Sequence, residues 1–160
     1  MRQRIEKERT PAGKDDLAIK TGKGGLMDAE FIAQALCLEH GWQEAHTLRA
    51  LERARDSVGV QASAFSQTKA ALKRELQQKS RENWEKLIEN YRQLRRVESI
   101  LRRWSYEGET VLPDDPAPYY RVSVRCGFAT PTAFRIAMAQ WRLAVREVYE
   151  QFFGQTGLGN

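Results

Sequence analysis

Apolar residues recur every three or four positions along almost the whole sequence, and this helical spacing limits the possible folds more than any other feature. The alternating β-branched pattern that is typical of strands is nearly absent. With 160 residues, the chain can form one domain with a buried core. The sequence therefore predicts an all-α fold, a bundle of about five or six helices with its long helices antiparallel.

The spacing and the breaker residues place the predicted helices at 2–9, 27–40, 45–56, 64–105, 118–126 and 131–153. Gly41 is a predicted helix stop, and Thr130 followed by Pro131 is a predicted helix start. A polar stretch near Ser80 leaves open whether the longest region is two helices or one bent helix. The apolar face of the last helix is assigned to Phe134, Met138, Trp141, Val145, Val148 and Phe152.

The chain is divided into three predicted parts. Residues 1–26 form a junction segment with a glycine-rich loop, 27–153 the helical bundle domain, and 154–160 a flexible tail. Within the junction, Leu17 and Ile19 alternate and indicate a short extended stretch. In the second helix the stripe is assigned to Phe31, Gln34 or Ala35, and Leu38, and is widened by Ile32 and Leu36. The stretch "SVGVQAS" is read as an interruption after the third helix.

Composition excludes several classes of protein. No run approaches the ~18 apolar residues of a membrane span, and the N-terminus lacks the apolar core of a secretory signal. Cys37 and Cys126 match no metal spacing, so they are read as buried, reduced thiols of a cytoplasmic protein. The net charge of +5 is spread among interleaved acids, so nucleic acid is not an expected partner.

The stretch "KTGKGG" before the second helix is the clearest candidate for a binding loop. It matches neither the phosphate-binding GxxxxGK[ST] pattern nor GxGxxG. It does precede a helix N-terminus, where free N–H groups bind anions, and Lys20 and Lys23 would add charge. The alternative is a tight turn whose glycines permit a positive φ.

Other polar residues offer little chemistry. Asp28 and Glu30 lie two positions apart on a helix and so point in different directions, which favours helix N-terminal stabilisation over metal binding. His40 and His46 have no partner at ligand spacing, and no serine lies in a GxSxG context.

The stretch "YRQLRRVESILRRW" carries an arginine stripe made of Arg92, Arg95, Arg96, Arg102 and Arg103. Such a stripe fits phosphates or an acidic protein surface, or else a solvated face threaded with glutamates. Glu98 lies between Leu94 and Leu101, so it is expected to be partly buried and to need an arginine or a hydrogen-bond partner.

Three stretches together resemble one family. "MRQRIEKERTPAGKDDLAIKTGKGGLMDAEFIAQ" is similar to the junction that follows a nucleotidyltransferase domain in bacterial glutamine synthetase adenylyltransferases. "YRQLRRVESILRR" is similar to a later helix of that family, and "VLPDD" with Gly127, Phe128 and Phe134 to the region after it. The resemblance covers nearly the whole chain, and 42–84 adds little to it.

The resemblance implies a helical domain of a larger enzyme with two homologous halves. One half attaches AMP to a tyrosine of glutamine synthetase, and the other removes it by phosphorolysis under the control of PII-type signal proteins and glutamine. The opening residues are more similar to the C-terminal, adenylylating half. The family's Gly-Ser loop and Asp-x-Asp pair, which hold ATP and Mg²⁺, do not occur in this sequence. The 160-residue chain is therefore expected to be a fragment that is inactive alone and binds no cofactor by itself.

The resemblance also sets the expected partners and site. The partners are glutamine synthetase, a PII-type signal protein and an upstream nucleotidyltransferase domain. No catalytic and no metal-binding residue is assigned. The candidate cofactor-binding residues, which would face the parent enzyme's ATP, are Lys20, Lys23, Gly24, Gly25, Asp28 and Glu30. The alternative function is a free-standing helical adaptor that binds a partner protein without catalysis.

Overall fold

The computed structural model describes residues 2–57, 67–105 and 110–155. Within these ranges the helices are α1 (Arg2–Arg9), α2 (Leu26–His40), α3 (Thr47–Ser57), α4 (Gln67–Ser105), α5 (Pro116–Arg125) and α6 (Pro131–Gln155). The predicted all-α fold is confirmed. None of the helices in the described ranges is both long and apolar enough to cross a membrane.

The predicted helix ends agree closely with the observed ones where local chemistry sets them. Gly41 ends α2 in the left-handed conformation, with φ 65°, and its N–H bonds the carbonyl of Cys37. Thr130 caps α6, since its hydroxyl accepts a hydrogen bond of 3.1 Å from the backbone N–H of Ala133. Helix α6 continues through Gly154 to Gln155, and residues 156–160 of the predicted tail lie outside the described residues.

The two long helices form the centre of the bundle. Helix α4 is continuous from Gln67 to Ser105, so the alternative of two helices separated near Ser80 is wrong. It packs most extensively against α6. Lys86 donates to Glu147 at 2.6 Å, and Asn83 donates to Gln151 at 3.0 Å. The partner of the later residue in α4 is therefore the earlier residue in α6. The long helices are therefore antiparallel, as predicted.

One hydrophobic core joins all the helices after α1. Its largest fully buried apolar side chains are Ile19, Leu26, Ile32, Leu51, Leu87, Ile88, Leu94, Leu101, Leu112 and Phe134. Most of the assigned face of α6 is buried, while Trp141 and Phe152 are only partly buried against the core. The interruption predicted at 57–63 falls mainly on 58–66, outside the described residues.

The predicted face of α2 needs a correction. Ile32 and Leu36 are buried, but Leu38 is 84% exposed and Phe31 is only half-buried. The buried stripe also contains Asp28 and Ala29. Asp28 was predicted only to stabilise the helix N-terminus, and its burial was not predicted because charged residues are normally solvated.

The extended stretch in the junction has a partner far along the chain. Ala18 forms an isolated antiparallel bridge with Val111. The N–H of Ile19 donates to the carbonyl of Thr110 at 2.9 Å, and that of Leu112 donates to the carbonyl of Leu17 at 2.8 Å. This bridge joins the junction to the loop before α5.

Candidate functional site

The glycine loop is packed against α6. Gly24 has φ +67°, and a β-carbon at this position would overlap the backbone carbonyl of Arg142. A β-carbon on Gly25 would lie 2.6 Å from the carbonyl oxygen of Ile19. Both glycines are buried. They are needed here because the backbone of the loop approaches another backbone too closely for any side chain.

Asp28 lies beneath this loop and is fully buried. Its carboxylate accepts hydrogen bonds from Nε of Arg2 at 2.5 Å and from the backbone N–H of Gly24 at 2.9 Å. A third, from the guanidinium of Arg146, measures 3.3 Å. The carboxylate thereby connects α1, the glycine loop, α2 and α6. We call Arg2, Asp28 and Arg146 the junction network.

Arg2 is the buried cation of this network, with only 4% of it exposed. Besides Asp28, it donates to the carbonyl of Gly22 at 2.9 Å. Its second terminal nitrogen lies 3.6 Å from a carboxylate oxygen of Glu6, which is an ion pair without a hydrogen bond. The network therefore holds the first turn of α1 against the loop.

Two arginines of α6 complete the junction. Nε of Arg142 donates to the carbonyl of Lys23 at 2.9 Å. Burial lowers the pKa of Arg142, and the nearby charges of Asp16 and Asp15 oppose that effect. Burial also opposes the charge of Arg146, but hydrogen bonds with Glu150 and Asp28 keep its pKa above the ordinary value.

An open cleft of about 720 Å³ lies beside the junction network. Its charged walls contain both signs: Asp15, Asp16, Lys23, Asp114, Arg135, Arg142 and Arg146. Leu143, which is 61% exposed, adds an apolar side chain to the rim. This cleft is a candidate binding space at the junction.

The predicted cofactor-binding residues separate into two groups. Lys23, Gly24 and Asp28 lie together at the junction, with the side chain of Lys23 69% exposed at the cleft and 3.9 Å from Glu6. Gly25 is buried in the turn, and Lys20 is half-buried. Glu30 lies elsewhere, in a cleft of about 350 Å³ that is also lined by His46, Thr47, Tyr91, Arg92 and Arg95.

The arginine stripe also divides. Arg92 pairs with Glu52 at 2.6 Å, and Arg95 and Arg102 both pair with Glu98, at 2.5 and 3.0 Å. Glu98 is only 2% exposed, which confirms the prediction of a buried glutamate with an arginine partner. Its Oε1 faces Arg102 without hydrogen-bond geometry. Arg96 and Arg103 have no ion pair with any described residue.

Sequence reasoning missed Arg2, Arg142 and Arg146. The available signal was the position of Arg142, four residues after Met138 and three before Val145, inside the apolar stripe of α6. A charged residue in such a stripe requires a buried partner. Nothing in the sequence indicated that the partner atoms lie in the glycine loop, 119 residues away.

The two cysteines differ. Cys126 is buried and Cys37 is half-buried, and both are free thiols. Burial raises the pKa of Cys126 to about 11. Within the described residues, no group of three or more His, Cys, Asp or Glu side chains is arranged to hold a metal ion.

A family model described as GlnD PII-uridylyltransferase matches residues 1–153. The chain belongs to this family. The match includes the junction, both clefts and nearly all of α6.

Three relatives that the chain matches are named as adenylyltransferases. The chain is 30% identical over 141 residues to a bifunctional glutamine synthetase adenylyltransferase/adenylyl-removing enzyme of Bordetella pertussis, and equally to that of Bordetella bronchiseptica. These matches cover 88% of this chain and 13% of each relative. The enzyme of the same name from Streptomyces avermitilis is 49% identical over 45 residues, or 28% of this chain and 4% of the relative.

These relatives confirm the resemblance that the sequence indicated. The chain spans 13% of the length of the Bordetella enzymes that it matches. It is similar to a helical region of a bifunctional glutamine synthetase adenylyltransferase.

Proposed function

We propose that the chain is the helical domain of a glutamine synthetase adenylyltransferase/deadenylylase. In this role it supports a nucleotidyltransferase site on an upstream domain of the same cytoplasmic enzyme. It also positions glutamine synthetase, or a PII-type regulator, relative to that site. The parent enzyme would hold ATP and Mg²⁺. It would control nitrogen assimilation by attaching AMP to glutamine synthetase or removing it.

The junction network is the observation that carries this proposal. Helix α1 and the glycine loop are the parts of the chain nearest to an upstream domain in sequence. Arg2 and Asp28 fix them to the bundle through a buried ion pair, and Arg142 fixes them through the Lys23 carbonyl. A buried, hydrogen-bonded connection resists bending more than a solvated linker does. The arrangement suits a rigid support between a catalytic domain and the bundle.

The loop lysines are the residues proposed to approach the nucleotide. Lys23 is exposed at the mouth of the 720 Å³ cleft, and Lys20 lies three residues before it. The loop precedes the N-terminus of α2, whose dipole favours anions. Gly24, Gly25 and Asp28 would set the position of the loop. Glu30 lies in the second cleft and would not touch this nucleotide. It could affect nucleotide binding only indirectly, through the position of α2.

The test uses a full-length enzyme that carries this chain after its nucleotidyltransferase domain. We expect Lys20→Ala/Lys23→Ala to weaken ATP binding or lower turnover by about tenfold or more, because each charged hydrogen bond is worth ~1.5–3 kcal/mol. The melting temperature of the 160-residue chain should hardly change, since Lys23 is largely solvated. Arg49→Ala/Lys79→Ala, which also removes two positive charges at exposed positions, is the matched control. Wild-type kinetics in the Lys20/Lys23 variant would remove the nucleotide role.

A second measurement tests the support role. The purified chain, given ATP, Mg²⁺ and glutamine synthetase, should transfer no AMP, whereas the full-length enzyme should do so. In-line transfer of this kind needs paired acids that hold the metal, and the sequence contains no Asp-x-Asp pair. Magnesium-dependent adenylylation by the chain alone would refute the proposal.

A further inference from the structure

A cationic surface lies where the end of α4 meets α5. We call it the Trp104 patch and define it by Arg96, Arg103, Trp104, Tyr120, Arg121, Val124 and Arg125. A cavity of about 500 Å³, lined by Ile100, Arg103, Trp104 and Arg125, opens at its centre. The patch is separate from the junction, since no residue of the patch lines the junction cleft or joins the junction network.

Two arginines of the patch lie against one aromatic ring. The guanidinium carbons of Arg121 and Arg125 each lie 5.9 Å from the centre of the Trp104 ring, within cation–π range. Arg96 lies beside Gly127, just after the end of α5. Arg121 and Arg125 are four residues apart on one exposed face of α5, and like charges at this spacing destabilise a helix. A bound anion would relieve that repulsion.

The patch differs from the preceding part of α4 because its cations lack carboxylate partners among the described residues and lie close together around a cavity. Elsewhere on α4, Arg92, Arg95 and Arg102 each form an ion pair with a glutamate. Arg103, Arg121 and Arg125 form no ion pair within the described ranges. Glu107 and Glu109 belong to 106–109, outside the described residues.

Apolar side chains accompany these charges. Tyr120 is 50% exposed and Val124 is 48% exposed, and both lie on α5 directly beside the arginine row. Arginine forks bind carboxylates in a bidentate manner, and exposed aromatic and aliphatic side chains bind the apolar residues of a peptide. A nucleic acid would supply phosphates but no apolar side chains for Val124. The combination therefore fits an acidic protein segment with apolar residues among its carboxylates.

We propose that the Trp104 patch docks an acidic segment of the protein that the enzyme modifies. This inference rests on the proposed function, which supplies glutamine synthetase as the modified protein. The patch would bring the substrate to the enzyme by electrostatic attraction and hold it through Trp104, Tyr120 and Val124. It would take no part in AMP transfer itself.

The test measures steady-state adenylylation of glutamine synthetase by the full-length enzyme. We expect Arg121→Glu/Arg125→Glu to raise the KM for glutamine synthetase about tenfold or more and to leave kcat unchanged, because only association is weakened. Arg121→Gln/Arg125→Gln should raise KM less. The dependence of KM on salt concentration should be smaller in both variants. Arg49→Glu/Lys79→Glu, which makes the same change in net charge at exposed positions, should leave KM unchanged.

The outcomes separate the two proposals. A wild-type KM in both Arg121/Arg125 variants, with circular dichroism showing an intact fold, would overturn the docking role and leave the proposed function standing. An equal rise of KM in the Arg49/Lys79 control would also overturn it, since the effect would then be one of net charge. If the wild-type enzyme transfers no AMP to glutamine synthetase, the proposed function fails and this docking role fails with it.

Discussion

Asp28 and Glu98 are both buried carboxylates bound to arginines, but they are stabilised in opposite ways. Asp28 takes its partners from α1, the glycine loop and α6, at separations of 26, 4 and 118 residues. Glu98 takes both of its arginines from its own helix, three residues before it and four after it. Asp28 therefore connects separate elements of the fold, whereas Glu98 has arginine partners only on its own helix among the described residues.

The partners also differ in their access to water. Arg2 is 4% exposed, while the side chains of Arg95 and Arg102 are 47% and 49% exposed. Losing Asp28 would leave the buried Arg2 with only a 3.6 Å ion pair to Glu6, whereas the arginines around Glu98 can turn into solvent. A buried ion pair is costly to break from one side, and a solvated pair is worth little. The stability of the junction should therefore depend on Asp28 much more than the stability of α4 depends on Glu98.

The largest expected effect is that of Asp28→Ala. We expect it to lower the free energy of unfolding by about 3–5 kcal/mol, because the buried Arg2 loses its hydrogen-bonded carboxylate and keeps only the longer ion pair with Glu6. Denaturant titration followed by circular dichroism would measure the change. Arg2→Met/Asp28→Ala is the control and should recover part of the loss, since neither charge then remains buried. A change below about 1 kcal/mol in Asp28→Ala would mean that α1 leaves its site and carries Arg2 into water.

Gly24→Ala should cause the second-largest loss in the free energy of unfolding. It tests the close backbone contact between the glycine loop and α6. The new methyl group would collide with the Arg142 carbonyl while holding a positive φ, so a loss of about 2–4 kcal/mol is expected. Gly41→Ala is a close control, because Gly41 has φ +65° but no atom within 4 Å of the added carbon. It should cost only about 1–2 kcal/mol. Equal losses in the two variants would show that the contact with α6 adds nothing to stability.

Glu98→Gln should have the smallest effect, within about 1 kcal/mol of the wild type in either direction. Its carboxylate is buried against half-exposed cations, so the loss of ion pairing is offset by the removal of a buried charge. Unfolding at low and high salt sharpens the contrast, since ~1 M salt shortens the screening length to about 3 Å. Salt should reduce the coupling between Glu98 and Arg102 more than that between Asp28 and Arg2. A loss from Glu98→Gln as large as that from Asp28→Ala would contradict the distinction between local and long-range partners.

The sequence was informative wherever a structure depends on residues close together along the chain. Thr130 before Pro131 predicted the start of α6, and Gly41 predicted the end of α2, because helix caps involve residues within about one turn. The same reasoning predicted the burial of Glu98 between Leu94 and Leu101 and its need for an arginine. Asp28 does lie in the first turn of α2, as predicted, but its burial was not predicted.

By itself the sequence determined the all-α class and the sites where helices begin and end, through the 3.6-residue period and the i-to-i+4 hydrogen bond, both of which are local. Only the tertiary structure decided that Asp28 is buried, that Gly24 contacts the backbone of Arg142, and that Ala18 pairs with Val111. The last two contacts join residues roughly 90 to 120 positions apart, and Asp28 has partners 26 and 118 positions away. Their free energy depends on which helix faces pack together, and no local pattern in the sequence contains that choice.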